Sequence, residues 1–307
     1  MKLSIVATLY RSAPYIEEFH RRMSHAARQL TDDYEIVLVN DGSPDDSLTR
    51  AVSLTEADSH VIVVDLSRNF GHHKAMMAGL AQARGERIFL IDSDLEEEPE
   101  WLVSFSEQFA LERCDVVYGV QEKRKGGFLE RWSGHWYYML LRKITGLDFP
   151  VNETTARLMS RRYVQALLSF EEREMEIGAL WFITGFEQHP QSVKKHSTSE
   201  TTYSFKKKIV LAVNSITSFS NAPLVWIFYL GAALLLMSLV FTTYLAVSRI
   251  YDNSPISGWT SLMVSVWLLG GLILSAIGIV GIYLAKVFSE TKRRPNSIIR
   301  DTYGKRD

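Results

Sequence analysis

The distribution of charge along the chain constrains its fold more than any other feature. No charged residue occurs from Ile209 to Ser248, and none from Asn253 to Ala285. Within these stretches lie LVWIFYLGAALLLMSLVFTTYLAVS, Leu224 to Ser248, and WTSLMVSVWLLGGLILSAIGIVGIYLA, Trp259 to Ala285. Each exceeds the ~20 predominantly apolar residues that carry a helix across a bilayer core. Long helices in the core of a soluble domain keep a polar face, and these keep none. The pattern predicts a two-helix transmembrane hairpin over residues 224–288. Lys206, Lys207 and Lys208 precede it, and Lys286, Lys292, Arg293 and Arg294 follow its second span. The connecting YDNSPISG holds only Asp252, with Arg249 at its edge. Basic outer flanks predict that both ends are cytoplasmic, residues 289–307 forming a cytoplasmic tail. The uncharged but Ser- and Asn-bearing IVLAVNSITSFSNAP, Ile209 to Pro223, is too polar to cross. With the lysines before it, it reads as an interfacial helix over 206–223 attracted to anionic headgroups.

Residues 1–205 have a different character. In the whole chain 34 Lys and Arg balance 35 Asp and Glu, for a net charge of −1, and 47% of residues are apolar. That excludes a disordered chain or a nucleic-acid-binding polycation. The single cysteine, Cys114, excludes an intramolecular disulfide framework and fits a reducing compartment. The opening MKLSIVATLY is interrupted by Arg11 and Ser12 before any cleavage pattern, so it reads as a first strand and not as a signal peptide. The runs KLSIVAT, YEIVLVN, HVIVVDL, RIFLI and DVVYGV read as strands, near-continuously apolar as in sheets covered on both faces. Between them YIEEFHRRMSHAARQL, HHKAMMAGLAQA and PEWLVSFSEQFAL read as helices. The alternation predicts a parallel α/β sheet with helices on both sides.

Ligands of such sheets bind beyond the carboxyl ends of the strands, and two of those ends are loaded with acid. VLVNDGS places Asp41 after the second strand, and FLIDSDLEEEPE places Asp92, Asp94, Glu96, Glu97, Glu98 and Glu100 after the fourth. The chain has no GxGxxG after a strand, no GxxxxGK[ST] and no GxSxG, which removes the usual markers of dinucleotide, P-loop and α/β-hydrolase chemistry. His72 and His73 lack a partner at zinc spacing. What remains is an oxygen-rich site. Carboxylates one residue apart in a turn suit Mg²⁺ or Mn²⁺, ions that bridge proteins to diphosphate oxygens.

The ordered set ATLYRSAPYIEEF, NDGSPDDS, LSRNFGHHKAMMAGL, DSDLEEEPEWL, GFLERWSGHWYYMLLRKITGLDFP, ARLMSRRYV, SFSNAPL and ETKRRPNSI resembles the polyprenyl-phosphate glycosyltransferases of glycosyltransferase family 2. That group includes dolichol-phosphate mannose synthase and the bactoprenol glucosyltransferases of O-antigen modification. The resemblance runs over nearly the whole chain. It implies a GT-A domain over residues 1–205, followed by the interfacial helix and the two transmembrane helices, in a bacterial inner membrane. The implied reaction is inverting transfer of a hexose from a nucleotide sugar, UDP-linked in the first instance, to undecaprenyl phosphate. The product would be a lipid-linked sugar for cell-surface or cell-wall glycans. Carried over residue by residue, Thr8, Leu9 and Tyr10 line the nucleotide and Asp41 contacts its base. Asp92, Ser93 and Asp94 serve ribose, diphosphate and metal, with Glu96 as a further metal ligand. Arg124, Arg131 and Arg157 are the candidates for the lipid phosphate, because a guanidinium can grip phosphate in a bidentate fork. Asp94 and Arg157 would then carry the transfer.

This chain departs from the family pattern at several positions. Thr8, Arg11 and Ser12 stand where proline and Asn-Glu are common, and Glu96 replaces a glutamine. In NETTARLM, Thr155 and Ala156 precede Arg157 where relatives show Asp-Phe-Arg, so an acid is missing, for which Glu153 could substitute. A processive polysaccharide synthase would share the nucleotide site but needs a Q-x-x-R-W acceptor motif. The Arg131-Trp132 pair has Phe128 at the glutamine position. A non-catalytic membrane-tethered binding protein would have no reason to keep Asp92 and Asp94. Neither the sugar nor whether the chain forms a homo-oligomer is readable from one sequence.

Overall fold

The computed structural model describes residues 1–121, 152–172, 177–195, 222–251 and 258–305. The predicted strands are present as β1 (Leu3–Leu9), β2 (Tyr34–Asn40), β3 (Val61–Leu66), β4 (Arg87–Leu90) and β5 (Val116–Gln121). The predicted helices are α1 (Ile16–Arg28), α3 (His72–Gln82) and α4 (Trp101–Glu112), and α2 (Ser47–Ala57) lies between β2 and β3. Three strands went unread in the sequence: β6 (Glu153–Ser160), β7 (Gln188–Val193) and β8 (Ile299–Tyr303). Together they form one sheet in the order β7-β5-β6-β4-β1-β2-β3-β8.

The expectation of a parallel sheet needs correcting. β1 to β4 pair in parallel and β7 pairs in parallel with β5. β6, however, is inserted antiparallel between β4 and β5, and β8 caps the β3 edge antiparallel. Residues 299–303, read from sequence only as a tail, thus complete the sheet. Its edge strand is charged and short, which local apolar patterning does not reveal.

Alternate residues of each central strand enter two separate cores. Ile5, Ile36, Leu38 and Phe89 pack with Phe19 and Met23 of α1 and with Leu102 and Phe105 of α4. Val6, Val37, Val39, Ile88 and Leu90 pack with Met76 and Leu80 of α3 and with Tyr163 and Leu167 of the helix Arg161–Leu168. Each such side chain, once fully buried, contributes about 1.5–3 kcal/mol. Burial on both faces is why these strands read as unbroken apolar runs.

The chain divides into two compact units. One comprises residues 1–138, 148–202 and 294–307, and the other residues 139–147 and 203–293. The second contains the helices Ala222–Tyr251, of 30 residues, and Trp259–Thr291, of 33 residues. At a rise of ~1.5 Å per residue each is longer than a hydrocarbon core is thick. Among the described residues the stretch long and apolar enough to cross a membrane is Leu268–Thr291, and Pro223–Leu234 is a shorter apolar stretch. Ile273, Leu274, Ile277 and Leu284 of the longer stretch are all more than half exposed. Apolar surface of this extent requires an apolar medium or another chain to cover it. The interfacial segment expected over 206–223 lies almost wholly outside the described residues.

Candidate active site

Register brings the loaded strand ends together. Leu9 pairs with Asn40 and Val6 with Leu90, so the chain leaves β1, β2 and β4 on one edge of the sheet. Ladder contacts continue past the strands: Asp41 N donates to the Leu9 carbonyl at 3.0 Å and Ile91 N to the Val6 carbonyl at 3.1 Å. Ser93 Oγ donates to the Thr8 carbonyl at 2.7 Å, fastening the β4 exit to the β1 exit. After Asp94 the chain turns sharply, with Leu95 at φ 61° and Glu96 N donating to Asp94 Oδ1 at 3.0 Å. A carboxylate accepting from the amide two residues on is how Asp holds such a turn.

Around this turn lies a polar cluster drawn from five segments. Asp92 Oδ2 accepts from Thr155 Oγ1 at 2.9 Å. His72 Nε2, at the start of α3, is 3.3 Å from Asp92 Oδ1, an ion-pair distance without hydrogen-bond alignment, and its Nδ1 is 3.1 Å from Thr8 Oγ1. Glu97 is fully buried and its Oε1 accepts from Thr155 N at 2.9 Å. Lys195, just past β7, holds its Nζ 3.5 Å from Glu96 Oε2 and 3.6 Å from Glu97 Oε1. Asp92 Oδ1 and Glu97 Oε2 are buried without a hydrogen-bond partner among the described residues.

Burial and mutual charge set the protonation behaviour. Burial, reinforced by the Asp92 charge, pushes Glu97 up to about 7. Burial likewise raises Asp94 and Asp41. Burial alone would raise Asp92 and lower His72, but their mutual attraction reverses both, holding the carboxylate below and the imidazole above its ordinary value. Burial opposes the charge on Lys195, and the surrounding carboxylates outweigh it and raise its pKa.

These shifts predict the pH dependence of stability. An acid raised in the folded state contributes stability that is fully present below its ordinary pKa and lost as pH rises through the folded one. For Glu97 that window runs from 4.5 to about 7, and the upward shifts of Asp94, Asp41 and His72 act in the same direction. The lowered Asp92 acts only under more acidic conditions. In chelator, the melting temperature should fall by several degrees across this window, and Glu97→Gln should flatten the curve. An unchanged slope in that variant would show that Glu97 ionises freely.

The residues singled out from sequence divide into those the fold brings together and those it does not. Thr8, Asp92, Ser93, Asp94 and Glu96 meet at the strand ends. Leu9 is buried in the core with its carbonyl accepting from Asp41 N, whereas Tyr10 is half exposed. Asp41 is 2% exposed, and its two oxygens accept from Phe70 N at 2.7 Å and Gly71 N at 3.0 Å. Its carboxylate holds the turn before α3, a role not foreseen for it. The expectation for Arg157 as a surface grip on phosphate also needs correcting. It is completely buried on β6, lies over the Trp181 ring, sits 3.5 Å from Glu153 and leaves Nη1 unpartnered. Arg124 and Arg131 lie outside the described residues. Sequence reasoning missed His72, Glu97, Thr155 and Lys195. The acid run contained Glu97 but nothing local separates it from its neighbours, and Lys195 is brought in only by the pairing of β7 with β5.

The donor set fits a hard divalent cation. It offers carboxylate oxygens, two of them buried without hydrogen-bond partners. Among the described residues no three His, Cys, Asp or Glu side chains form a ready-made metal cage. One or two carboxylates completed by substrate phosphates is the usual way Mg²⁺ is held.

Comparison with known proteins agrees with this arrangement. Residues 4–168 match the family model described as Glycosyl transferase family 2. A Mycobacterium tuberculosis protein that carries the name glycosyltransferase is 49% identical over 304 residues, covering 99% of this chain and 89% of its own. The uncharacterized glycosyltransferase YkcC of Bacillus subtilis is 32% identical, covering 99% and 95%. The bactoprenol glucosyl transferase of Shigella phage SfV is 30% identical, covering 98% and 99%.

Proposed function

This chain belongs to glycosyl transferase family 2, and from that premise we propose that it moves a hexose from a nucleoside-diphosphate sugar to a polyprenyl phosphate at the cytoplasmic face of a bacterial membrane. The observation that carries this reading is the convergence of Asp92, Asp94, Glu97 and Lys195 at the mouth of the sheet, in a chain whose own helix Leu268–Thr291 is apolar enough to cross a bilayer. The end-to-end similarity to a bactoprenol glucosyl transferase supports a lipid acceptor.

Asp92 and Asp94, with Glu96 beside them, would hold a divalent ion, whose charge would offset that of the departing diphosphate. The chain's residues then orient the donor: the β1 exit at Thr8 to Tyr10 flanks the nucleoside, and Ser93 locks that exit to the acidic turn. An oxygen of the acceptor phosphate attacks the anomeric carbon, and the bond from that carbon to the diphosphate breaks with its electron pair leaving on oxygen. A phosphate monoester has a second pKa of roughly 6, so the acceptor carries its nucleophilic charge already. No protein base need remove a proton, which makes the absence of an acid at Thr155 tolerable. The Thr155 hydroxyl instead steadies Asp92.

The test uses purified full-length protein in detergent with Mg²⁺, undecaprenyl phosphate and radiolabelled UDP-glucose, with GDP-mannose and UDP-GlcNAc as alternatives. Label should pass into organic solvent. Label released only to water, or none from any donor, would overturn the reading.

Chain connectivity bears on topology. The chain leaves the sheet-containing unit near Thr202 and rejoins it at Arg294, where β8 pairs with β3. A folded unit cannot straddle a bilayer, so an even number of crossings is required: if Leu268–Thr291 spans, a second crossing must precede it, and the helix Ala222–Tyr251 is the segment we assign to it. Reporter fusions at Asp307 and within Asp252–Gly258 should therefore report opposite sides. An impermeant thiol reagent that labels Cys114 in intact cells would contradict this.

A further inference from the structure

The edge strand β8 does more than cap the sheet. Its pairing with β3 is irregular between Asp65 and Leu66: Asp301 faces Asp65 and Ile299 faces Leu66, leaving Arg300 as the additional residue. Such a bulge re-aims a side chain, and Arg300, itself exposed, reaches the buried Asp65 from the sheet edge. Its Nε donates to Asp65 Oδ2 at 2.7 Å, and its Nη2 lies at ion-pair distance from the same oxygen, 2.6 Å away. Asp65 is completely buried, and its other oxygen accepts from Asn40 Nδ2 at 2.8 Å. Asn40, the last residue of β2, uses its own Oδ1 to accept from Ser43 N at 3.3 Å. The relay therefore ends in the loop NDGSPDDS. That loop in turn holds the β1 exit: Arg11 N donates to Ser43 Oγ at 2.7 Å, and Ser12 N to Ser47 Oγ at 2.9 Å. Gly42, at φ 58°, has no room for a side chain, since a Cβ would collide with the backbone of Asn69.

We infer that Arg300 is a positioning residue for nucleoside-diphosphate binding, acting through Asp65 and Asn40 to fix the loop 41–47 against the β1 exit. This rests on the proposed donor site. Physically, Asn40 can present its amide carbonyl to Ser43 only if its NH₂ is engaged on the opposite side, and Asp65 engages it. A buried carboxylate is retained there because the Arg300 guanidinium pairs with it. Gly304, at φ 99° where a Cβ would strike the Val61 carbonyl, lets the end of β8 lie close enough for this register.

The experiment measures UDP and GDP binding by calorimetry, and amide exchange by mass spectrometry, on full-length protein in detergent. Arg300→Ala should weaken UDP binding by ~10-fold, equivalent to about 1.4 kcal/mol. The KM for nucleotide sugar should rise in parallel while the KM for lipid phosphate stays put. Exchange should quicken over residues 41–47 and remain unchanged over 87–95. Arg300→Lys, which keeps the charge but loses the Nε donor, should recover part of the affinity, and it decides the matter if Arg300→Ala does not fold. Wild-type affinity and exchange in either folded variant would overturn the inference, as would an equal rise in both KM values. If the wild-type protein binds neither UDP nor GDP, the proposed function fails, and exchange over 41–47 alone decides the role of Arg300.

Discussion

Asp94→Asn is expected to lower sugar transfer by at least ~100-fold, the scale at which removing charge stabilisation from a developing anion is felt. Folding should survive the change. The amide oxygen of asparagine can still accept from Glu96 N, the contact that holds the turn at 3.0 Å. Burial and the neighbouring Asp92 charge already disfavour ionised Asp94 in the metal-free protein, so neutralising it relieves repulsion and should leave the melting temperature unchanged or slightly higher. Loss of activity with retained stability separates a role at the leaving diphosphate from a structural one. A manganese titration adds a second measurement, in which the variant should require far more ion to reach its residual rate. Turnover near the wild-type level, or full wild-type activity in excess chelator, would remove the metal from the reading.

Arg157→Ala should act through stability before it acts through substrate. A lipid phosphate cannot reach a guanidinium with no exposed surface, covered by Trp181 and set beside Glu153. Deleting it leaves a cavity in the core and an unpaired, part-buried carboxylate at Glu153, and breaking a buried pair from one side costs at most about 3–5 kcal/mol. Burial lowers the pKa of Arg157 and raises that of Glu153, both consistent with a pair held at a desolvation cost. Glu153→Gln in the same chain should therefore recover part of the loss, and a double-mutant cycle read by denaturant melts would measure the coupling. A wild-type melt for Arg157→Ala, accompanied by a raised KM for lipid, would instead restore the phosphate-gripping role that the motif suggests.

Arg157 and Glu97 illustrate how far the site could be read in advance. Arginine in ARLMSRRYV looks like a surface cation because arginine usually is one. Its burial follows from the insertion of β6 between β4 and β5, a pairing of residues that lie far apart along the chain. Glu97 stands in a run of acids that local rules treat alike, yet the turn at Leu95 sends its carboxylate inward to the Thr155 amide. Zinc-like spacing gives no reason to single out His72, and its partners Thr8 and Asp92 come from distant segments of the chain.

What the sequence determined by itself is what local chemistry encodes. Two uncharged apolar stretches had to become long helices, and strands buried on both faces had to be continuously apolar. The acids of DSDLEEE had to sit at a strand end, since a buried strand cannot hold them. The tertiary structure decided the rest: the antiparallel entry of β6 and β8, the choice of Lys195 as counter-charge to Glu96 and Glu97, and the Arg300–Asp65–Asn40 relay. These depend on strand pairing across long separations, where the free energy comes from matching whole faces and edges. That matching leaves no periodic mark in the local sequence, because a short charged edge strand and a surface tail are written with the same residues.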